Sequence, residues 1–505
     1  MLMKNKIDYN KVIATLFFII PIVIIIYCFS SGISGNDFWW HVKVGEYVLD
    51  NGAVPTTDIF SWYGTELSIE WTAHEWLADV VYYLIHNTLG QIGIFLFSVG
   101  SAVALYWCLW RESRKHHSQN ILITGLFFSL FAVLSSLFFY GRPHVFSYFL
   151  LFCELKLLYD FTENQASKKI FLIPLLAVLW SNLHGGSSNM AYIVCIIFLV
   201  CGLCKFSVGR IEADRLGKSA IAKLSVVTLL SIVGILINPV GLKVLIYPYV
   251  NLSDDLSMTL ISEWAAPDAK IIGNLILYFL PIVVMTIGLI SEKKRVRFVD
   301  LAVMLVFLFL FFRSARFIIL WYIAATFYAF RYIPSIKVKE ITRLSEKISI
   351  GALVLLLIVP TVFGISETIK THKAGELIST VISDTAIEKI KDDAPKRIFN
   401  DYNLGEALIY NDIPVFFDAR ADLYAQENIM ADGASLMYLE QANKGATTKY
   451  VDVDGLIKKY DFDAVAILKV RPLYSYMVSH PEQFSLVYED STMAYYRIVG
   501  GVENE

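Results

Sequence analysis

The chain has 505 residues, of which 56% are hydrophobic and 18% charged, whereas soluble globular proteins run at roughly 45–50% apolar and about 25% charged. That balance excludes an ordinary pair of soluble domains; a net charge of −3 is uninformative by itself, and no basic tract points to nucleic acid as a partner. Between Val12 and Ile369 the apolar residues gather in runs of roughly 15–25, the length that a helix rising 1.5 Å per residue needs to cross the hydrocarbon core.

In chain order the runs predict about eleven transmembrane helices, over 12–33, 88–110, 121–140, 146–161, 170–183, 189–206, 224–247, 275–291, 299–312, 317–332 and 348–368. The first run also has the lysines before it and small residues after it that a signal peptide shows. It is longer than a signal-peptide core and lacks an A-x-A cleavage site, so it reads as a span. Charge sets the orientation. Lys4, Lys6 and Lys11; Arg111, Arg114 and Lys115; Lys168 and Lys169; Arg210, Arg215, Lys218 and Lys223; Lys293 to Arg297; and Arg331 to Lys347 fall in alternate connections. The positive-inside rule therefore places the N-terminus in the cytoplasm, and an odd number of spans places the C-terminal tail on the outer face.

The first outer connection, Ser34 to Asn87, is too long for a mere link and holds Trp39, Trp40, Trp62, Trp71 and Trp76, half of the chain's 10 tryptophans. Phe38, Val42, Gly45 and Leu49 recur at helical steps, as do Trp76, Val80, Tyr83 and Leu84. They predict two amphipathic helices at the membrane interface, where Trp and Tyr prefer to sit, with a turn at Asn51-Gly52 and Pro55. The first domain is therefore the membrane body, 1–369, including the 34–87 loop. From 370 to 505 short apolar stretches alternate with turn residues. They predict a soluble α/β domain with strands Arg397–Phe399, Pro414–Phe417, Ala464–Leu468, Ser485–Tyr488 and Ala494–Ile498. Its helices are Leu404–Tyr410, Gln426–Glu440, Val453–Tyr460 and Leu473–Ser479. All 6 cysteines lie in apolar runs; even the Cys201/Cys204 pair reads as small buried hydrophobes.

Chemistry-bearing residues concentrate on the outer connections. Asp37 follows the first span with His41 one helical turn on, so the carboxylate can act as a base or a metal ligand. His74 and Glu75 open the second amphipathic helix. Each has a plainer structural role, Asp37 as a helix N-cap and Glu75 as a first-turn acid. Very short outer connections also carry Arg142-Pro143-His144, His184 within Asn182-Leu-His-Gly-Gly186, Glu263-Trp264, and Arg313 with Arg316. Arginines at span ends are ordinary interfacial anchors. Carboxylates, histidines and arginines converging on one face suit a phosphorylated lipid, because arginine grips phosphate oxygens in bidentate fashion. Glu154, inside the fourth predicted span, needs a partner that sequence does not name. In the tail, Asp418, Arg420 and Asp422 follow a predicted strand and read as an internal salt-bridged turn, or as a ligand site at a strand end.

The layout resembles the GT-C superfamily of polytopic membrane glycosyltransferases. The likeness rests on Asp37 after span one, the Gly45-Glu46-Tyr47-Val48-Leu49-Asp50-Asn51-Gly52 helix with Pro55 after it, and the second helix opening at His74-Glu75-Trp76-Leu77. Over nearly its full length the chain also looks like a branch of bacterial membrane proteins with Asp37-Phe-Trp-Trp-His41 early and Asp418-Ala-Arg-Ala-Asp-Leu-Tyr424 late. The resemblance implies transfer of a hexosyl or pentosyl group from a polyprenyl-phosphate-linked donor to a glycan, lipid or protein acceptor at the outer face. Asp37 would be the catalytic base. Glu75, with His74, His41, Arg142, His144, His184, Glu263, Arg313 and Arg316, would form the donor-phosphate or metal site. A divalent cation is compatible with that set. Asn36-Asp37 stands where a D-x-D would bind one, so strict metal dependence is not implied. Two rivals remain, a lipid or glycan transporter, for which no internal repeat is visible, and a GT-C-like assembly protein without activity.

Overall fold

The computed structural model describes residues 37–116, 138–139, 141–252, 264–268, 295–329, 331–332, 381–424, 426–440 and 451–499, with isolated residues between 19 and 25 and between 270 and 286. Helices α1 (Phe38–Asn51), α2 (Trp62–Leu67), α3 (Trp76–His116), α4 (His144–Glu163), α5 (Ile173–Leu183) and α6 (Met190–Leu203) lead into strands β1 (Phe206–Val208) and β2 (Ile211–Ala213). Next come α7 (Lys218–Ile235), α8 (Leu242–Leu252), β3 (Val296–Arg297), α9 (Phe298–Arg313) and α10 (Ile318–Ala329). The tail adds α11 (Asp384–Asp393), β4 (Ile398–Asn400), α12 (Gly405–Tyr410), α13 (Ala421–Tyr424), α14 (Ile429–Tyr438) and α15 (Val453–Tyr460). It closes with β5 (Ala464–Leu468), α16 (Pro472–Ser479), β6 (Phe484–Glu489) and β7 (Met493–Ile498).

These elements form two compact units. A helical unit comprises Met1–Ile33, Leu89–Ile237 and Glu263–Ile378, and a mixed unit comprises Ser34–Thr88, Asn238–Ser262 and Ser379–Glu505. The division does not fall at 369/370: the tryptophan-rich loop joins the tail.

In the helical unit, the segments 76–113, 185–203 and 218–235 are each long and apolar enough to cross a membrane, while the helices over 169–183 and 315–328 are apolar but shorter. Leu175, Leu229 and Phe309 each leave more than 60% of their surface exposed, as side chains meant for lipid rather than water do. The predicted spans 88–110, 146–161, 170–183, 189–206, 299–312 and 317–332 coincide with α3, α4, α5, α6, α9 and α10. Those at 12–33, 121–140, 275–291 and 348–368 lie wholly or mostly outside the described residues. The span at 224–247 is corrected. Helix α7 stops at Ile235, Gly241 takes φ +61°, and α8 restarts in the mixed unit. Pro239 supplies the physical reason, since proline cannot continue a helix through its own position.

The ends of the helical unit differ in chemistry. At one end β2 pairs in antiparallel fashion with β1 and in parallel with β3, tying the 206–213 connection to the start of α9. Lys223 Nζ donates to Gln165 O at 2.9 Å, and Arg297 reaches Glu163, Thr162 and Asp300. Connections predicted to be basic and cytoplasmic thus meet one another. At the other end Ala315 N–H bonds to Ala265 O at 3.0 Å, and the loops before α4, α6 and α10 come together. Glu154, midway along α4, is 1% exposed and takes a long hydrogen bond from Cys195 Sγ of α6 at 3.7 Å.

The mixed unit is built on a four-stranded sheet ordered β4-β5-β7-β6. Ala464 of β5 sits opposite Ile398 of parallel β4 and Arg497 of antiparallel β7. The expected strand Pro414–Phe417 is corrected: it makes only an isolated bridge, with Val415 N–H bonded to Phe60 O and Trp62 N–H to Val415 O. Val415 spends its backbone groups on the 34–87 loop, while the Phe416 N–H and Phe417 C=O go to the Asn400 side chain of β4 rather than to a strand ladder. Trp40, Val44, Val48, Trp62 and Trp71 of the loop share one core with Phe416, Phe417, Tyr424 and Tyr460 of the tail. The loop's aromatic faces therefore pack on the tail, where the sequence reading expected the membrane interface.

Candidate active site

Sequence-predicted site residues occur in both units. In the mixed unit, Asp37 immediately precedes α1 and makes no capping hydrogen bond with its side chain. Glu406 of α12 supplies that bond instead, taking the Trp39 N–H on Oε2 at 3.1 Å from a site 3% exposed. A carboxylate there also complements the helix dipole. Trp39 and Tyr410 lie with ring centroids 4.3 Å apart, locking α12 to α1. The capping role that would explain Asp37 structurally thus belongs to Glu406.

His41 is 2% exposed. Its Nδ1 lies 2.6 Å from Asp79 Oδ1, and its Nε2 lies 4.0 Å from Glu75 Oε2. The pair forms because α1 and α3 touch at Gly45. A Cβ on Gly45 would sit 2.2 Å from Asp79 O, so only glycine permits the approach. His74 Nδ1 is 4.0 Å from Glu75 Oε1, and its ring meets Tyr247 of α8 edge-on at 4.0 Å. Tyr247 in turn hydrogen-bonds Asp422, whose carboxyl burial pushes above its ordinary value. Sequence reading missed Asp79, Tyr247 and Glu406. Asp79 follows Glu75 by one helical turn, a usable signal, whereas nothing local marks the other two.

The tail's Asp418 and Arg420 do not form a surface ligand site. Arg420 is 2% exposed; its Nη1 lies 2.8 Å from Asp58 Oδ1 and its Nη2 2.7 Å from Asp418 Oδ2. Tyr424 completes the group, and the guanidinium lies 4.7 Å from the Trp71 ring. Burial works against the charge on Arg420, but Asp418 and Asp58 hold it well above its ordinary pKa. The internal salt-bridged turn is the observed arrangement, extended to an acid in the first outer loop.

In the helical unit, Arg316 Nε donates to His144 Nε2 at 2.6 Å, and the His144 and His184 rings lie 4.4 Å apart. The Arg316 guanidinium also covers Trp264 at 5.2 Å. Arg142 is half-buried just before α4, and Arg313 is exposed at the end of α9. Glu263 lies outside the described residues. Under His184, Ser147, Ser187 and Trp180 form a hydrogen-bonded cluster that no sequence motif announced.

Among the described residues, no three His, Cys, Asp or Glu side chains converge as a metal site.

Over nearly its whole length the chain has the fold of the GT-C membrane glycosyltransferases. Archaeoglobus fulgidus oligosaccharyltransferase AglB, in complex with an inhibitory peptide and a dolichol-phosphate, is 10% identical with a TM-score of 0.56, over 91% of this chain and 70% of that one. An A. fulgidus oligosaccharyltransferase in complex with Zn and sulfate is 11% identical with a TM-score of 0.51, over 94% of this chain and 72% of that one. ArnT from Cupriavidus metallidurans, bound to undecaprenyl phosphate, is 11% identical with a TM-score of 0.51, over 97% and 99%. No family model matches the sequence, and no curated protein matches it significantly.

Proposed function

We propose that this chain is a membrane glycosyltransferase that moves a sugar from a polyprenyl-phosphate-linked donor to an acceptor at the outer face of a bacterial plasma membrane. The observation that carries the reading is Asp37, placed at the head of α1 while Glu406 does the capping. The shared fold supports it, because AglB and ArnT were each determined with a polyprenyl phosphate of this lipid class. The Asp37 carboxylate takes the proton of the acceptor hydroxyl as its oxygen attacks the anomeric carbon. The bond from that carbon to the phosphate oxygen breaks, and the phosphate leaves with the electron pair as polyprenyl phosphate. In the helical unit, Arg316, with Arg142 and Arg313 as further cations, is the group suited to phosphate oxygens. Glu75 and His74 support the Asp37 side of the reaction. The donor sugar is hexosyl or pentosyl, and the acceptor a glycan, lipid or protein. A divalent cation, if bound, would add charge at the phosphate, but the protein groups named here account for the base and the leaving-group contacts.

The test is product formation. Membranes containing the protein and a radiolabelled polyprenyl-phosphate sugar should yield a glycosidic product with one member of an acceptor panel. Movement of labelled lipid between leaflets with no glycosidic product would replace this reading with a transporter.

A further inference from the structure

The cluster beneath His184 fixes which of its ring nitrogens carries hydrogen. Trp180 Nε1 lies 2.7 Å from Ser147 Oγ and 3.1 Å from Ser187 Oγ, and the two hydroxyl oxygens are 2.7 Å apart. His184 Nδ1 is 2.6 Å from Ser147 Oγ and 2.8 Å from Ser187 Oγ. All four residues are buried, and among the described residues the serine hydroxyls have no hydrogen-bond partners outside the cluster. The indole can only donate, and each serine owns one hydrogen. If Nδ1 bore a hydrogen, one hydroxyl would donate to the other, and the second would find no acceptor. A buried polar hydrogen left so is costly. With Nδ1 bare, one hydroxyl donates to the other, the second donates to Nδ1, and every hydrogen is placed. The hydrogen of His184 then lies on Nε2, on the far side of the ring from the serines.

His144 obeys the same logic. Arginine has no acceptor, so at 2.6 Å from Arg316 Nε the His144 Nε2 must accept, and the hydrogen sits on Nδ1. Arg316 and His184 therefore present N–H groups, the hydrogen of His144 lies on its buried Nδ1, and the bare nitrogens of both rings are consumed inside the protein. Such a set suits the oxygens of a phosphate and is poor for a cation. We infer that Ser147, Ser187 and Trp180 are positioning residues that lock His184 as an Nε2–H donor to the lipid-linked phosphate. This rests on the proposed donor-phosphate role for this end of the helical unit.

The experiment uses the full-length protein in detergent with undecaprenyl phosphate as probe. Solid-state ¹⁵N spectra of histidine-labelled protein, with His184 assigned by difference against His184→Gln, should show Nδ1 unprotonated and Nε2 protonated. The opposite tautomer overturns the lock whatever the site binds. In binding, Ser147→Ala with Ser187→Ala should weaken undecaprenyl phosphate about tenfold, the size expected for a lost bond to a charged group. At saturating donor its kcat should stay within a few-fold. His184→Gln keeps an amide donor near the ε position and should bind better than His184→Asn, which moves it to the δ position; equal loss in both overturns the inference. If Arg316→Ala binds as tightly as wild type, the phosphate reading itself fails. Weakening by Arg316→Ala but not by the double serine variant removes only the lock.

Discussion

Arg420 carries a positive charge between two buried carboxylates. Each ion taken from water costs several kcal/mol, and breaking such a group by removing one partner typically costs about 3–5 kcal/mol. Arg420→Leu should therefore lower the melting temperature of the purified protein sharply, since it strands Asp58 and Asp418; an unchanged melting temperature would show that the triad is not holding the loop. Asp422 gives a pH signature. Its folded-state pKa is raised, with burial as the main cause. Its contribution to stability is thus present below the unfolded value of about 3.9 and is lost as pH rises through the folded value. Asp422→Asn should gain melting temperature relative to wild type as pH climbs above about 4, and a constant difference across pH would contradict this. Some of this residue-scale picture is legible in sequence. Asp418 and Arg420, two apart after an apolar stretch, read as an internal ion pair, and Asp37 stands out beside its span. Asp58, 362 residues from Arg420, and Glu406 as the cap of α1 are not legible, because no local pattern encodes a partner so distant in the chain.

At the scale of elements, apolar length locates helices, and among the described residues three of them are long and apolar enough to cross a membrane. The misreadings share a cause: a local pattern compatible with two environments. An amphipathic helix rich in tryptophan fits a membrane interface or a domain core equally well, and here the tail's core took it. Asn238-Pro239-Val240-Gly241 falls inside a predicted span because its neighbours are apolar, although proline and a positive-φ glycine follow the end of α7. Inside α3, Gly90 adopts φ 61°, ψ −154°, a conformation other residues rarely accept, which kinks the helix near where the sequence reading separates the amphipathic helix at Trp76 from the span at 88–110. The contact between α1 and α3 is the most exposed to a small change. Gly45→Ala would force backbone apart where the added carbon meets Asp79 O at 2.2 Å, pulling Asp79 from His41. It should lower both melting temperature and transfer activity without altering any charge. Wild-type behaviour would mean that the helices yield and that the His41–Asp79 pair is dispensable.

For the whole molecule, the functional consequence of the loop joining the tail is that the tail's core is incomplete without Trp40, Trp62 and Trp71. Expressed alone, 379–505 should show helix and strand by far-UV circular dichroism but weak near-UV signal and exposed apolar surface. A cooperatively folded isolated tail would contradict that account. The division itself was hidden from sequence reading, which sees the loop as a connection and the tail as a separate block, because the contacts that join them close over more than 300 residues. The most direct test replaces Asp37 by Asn, which keeps size and most hydrogen bonding but removes the basic oxygen, and measures sugar transfer and donor-lipid binding in the same membranes at matched protein level. General-base catalysis is worth about 10²–10⁴-fold, so transfer should fall by that factor while undecaprenyl phosphate binds as before; transfer near the wild-type rate would contradict the assignment of Asp37 as the base.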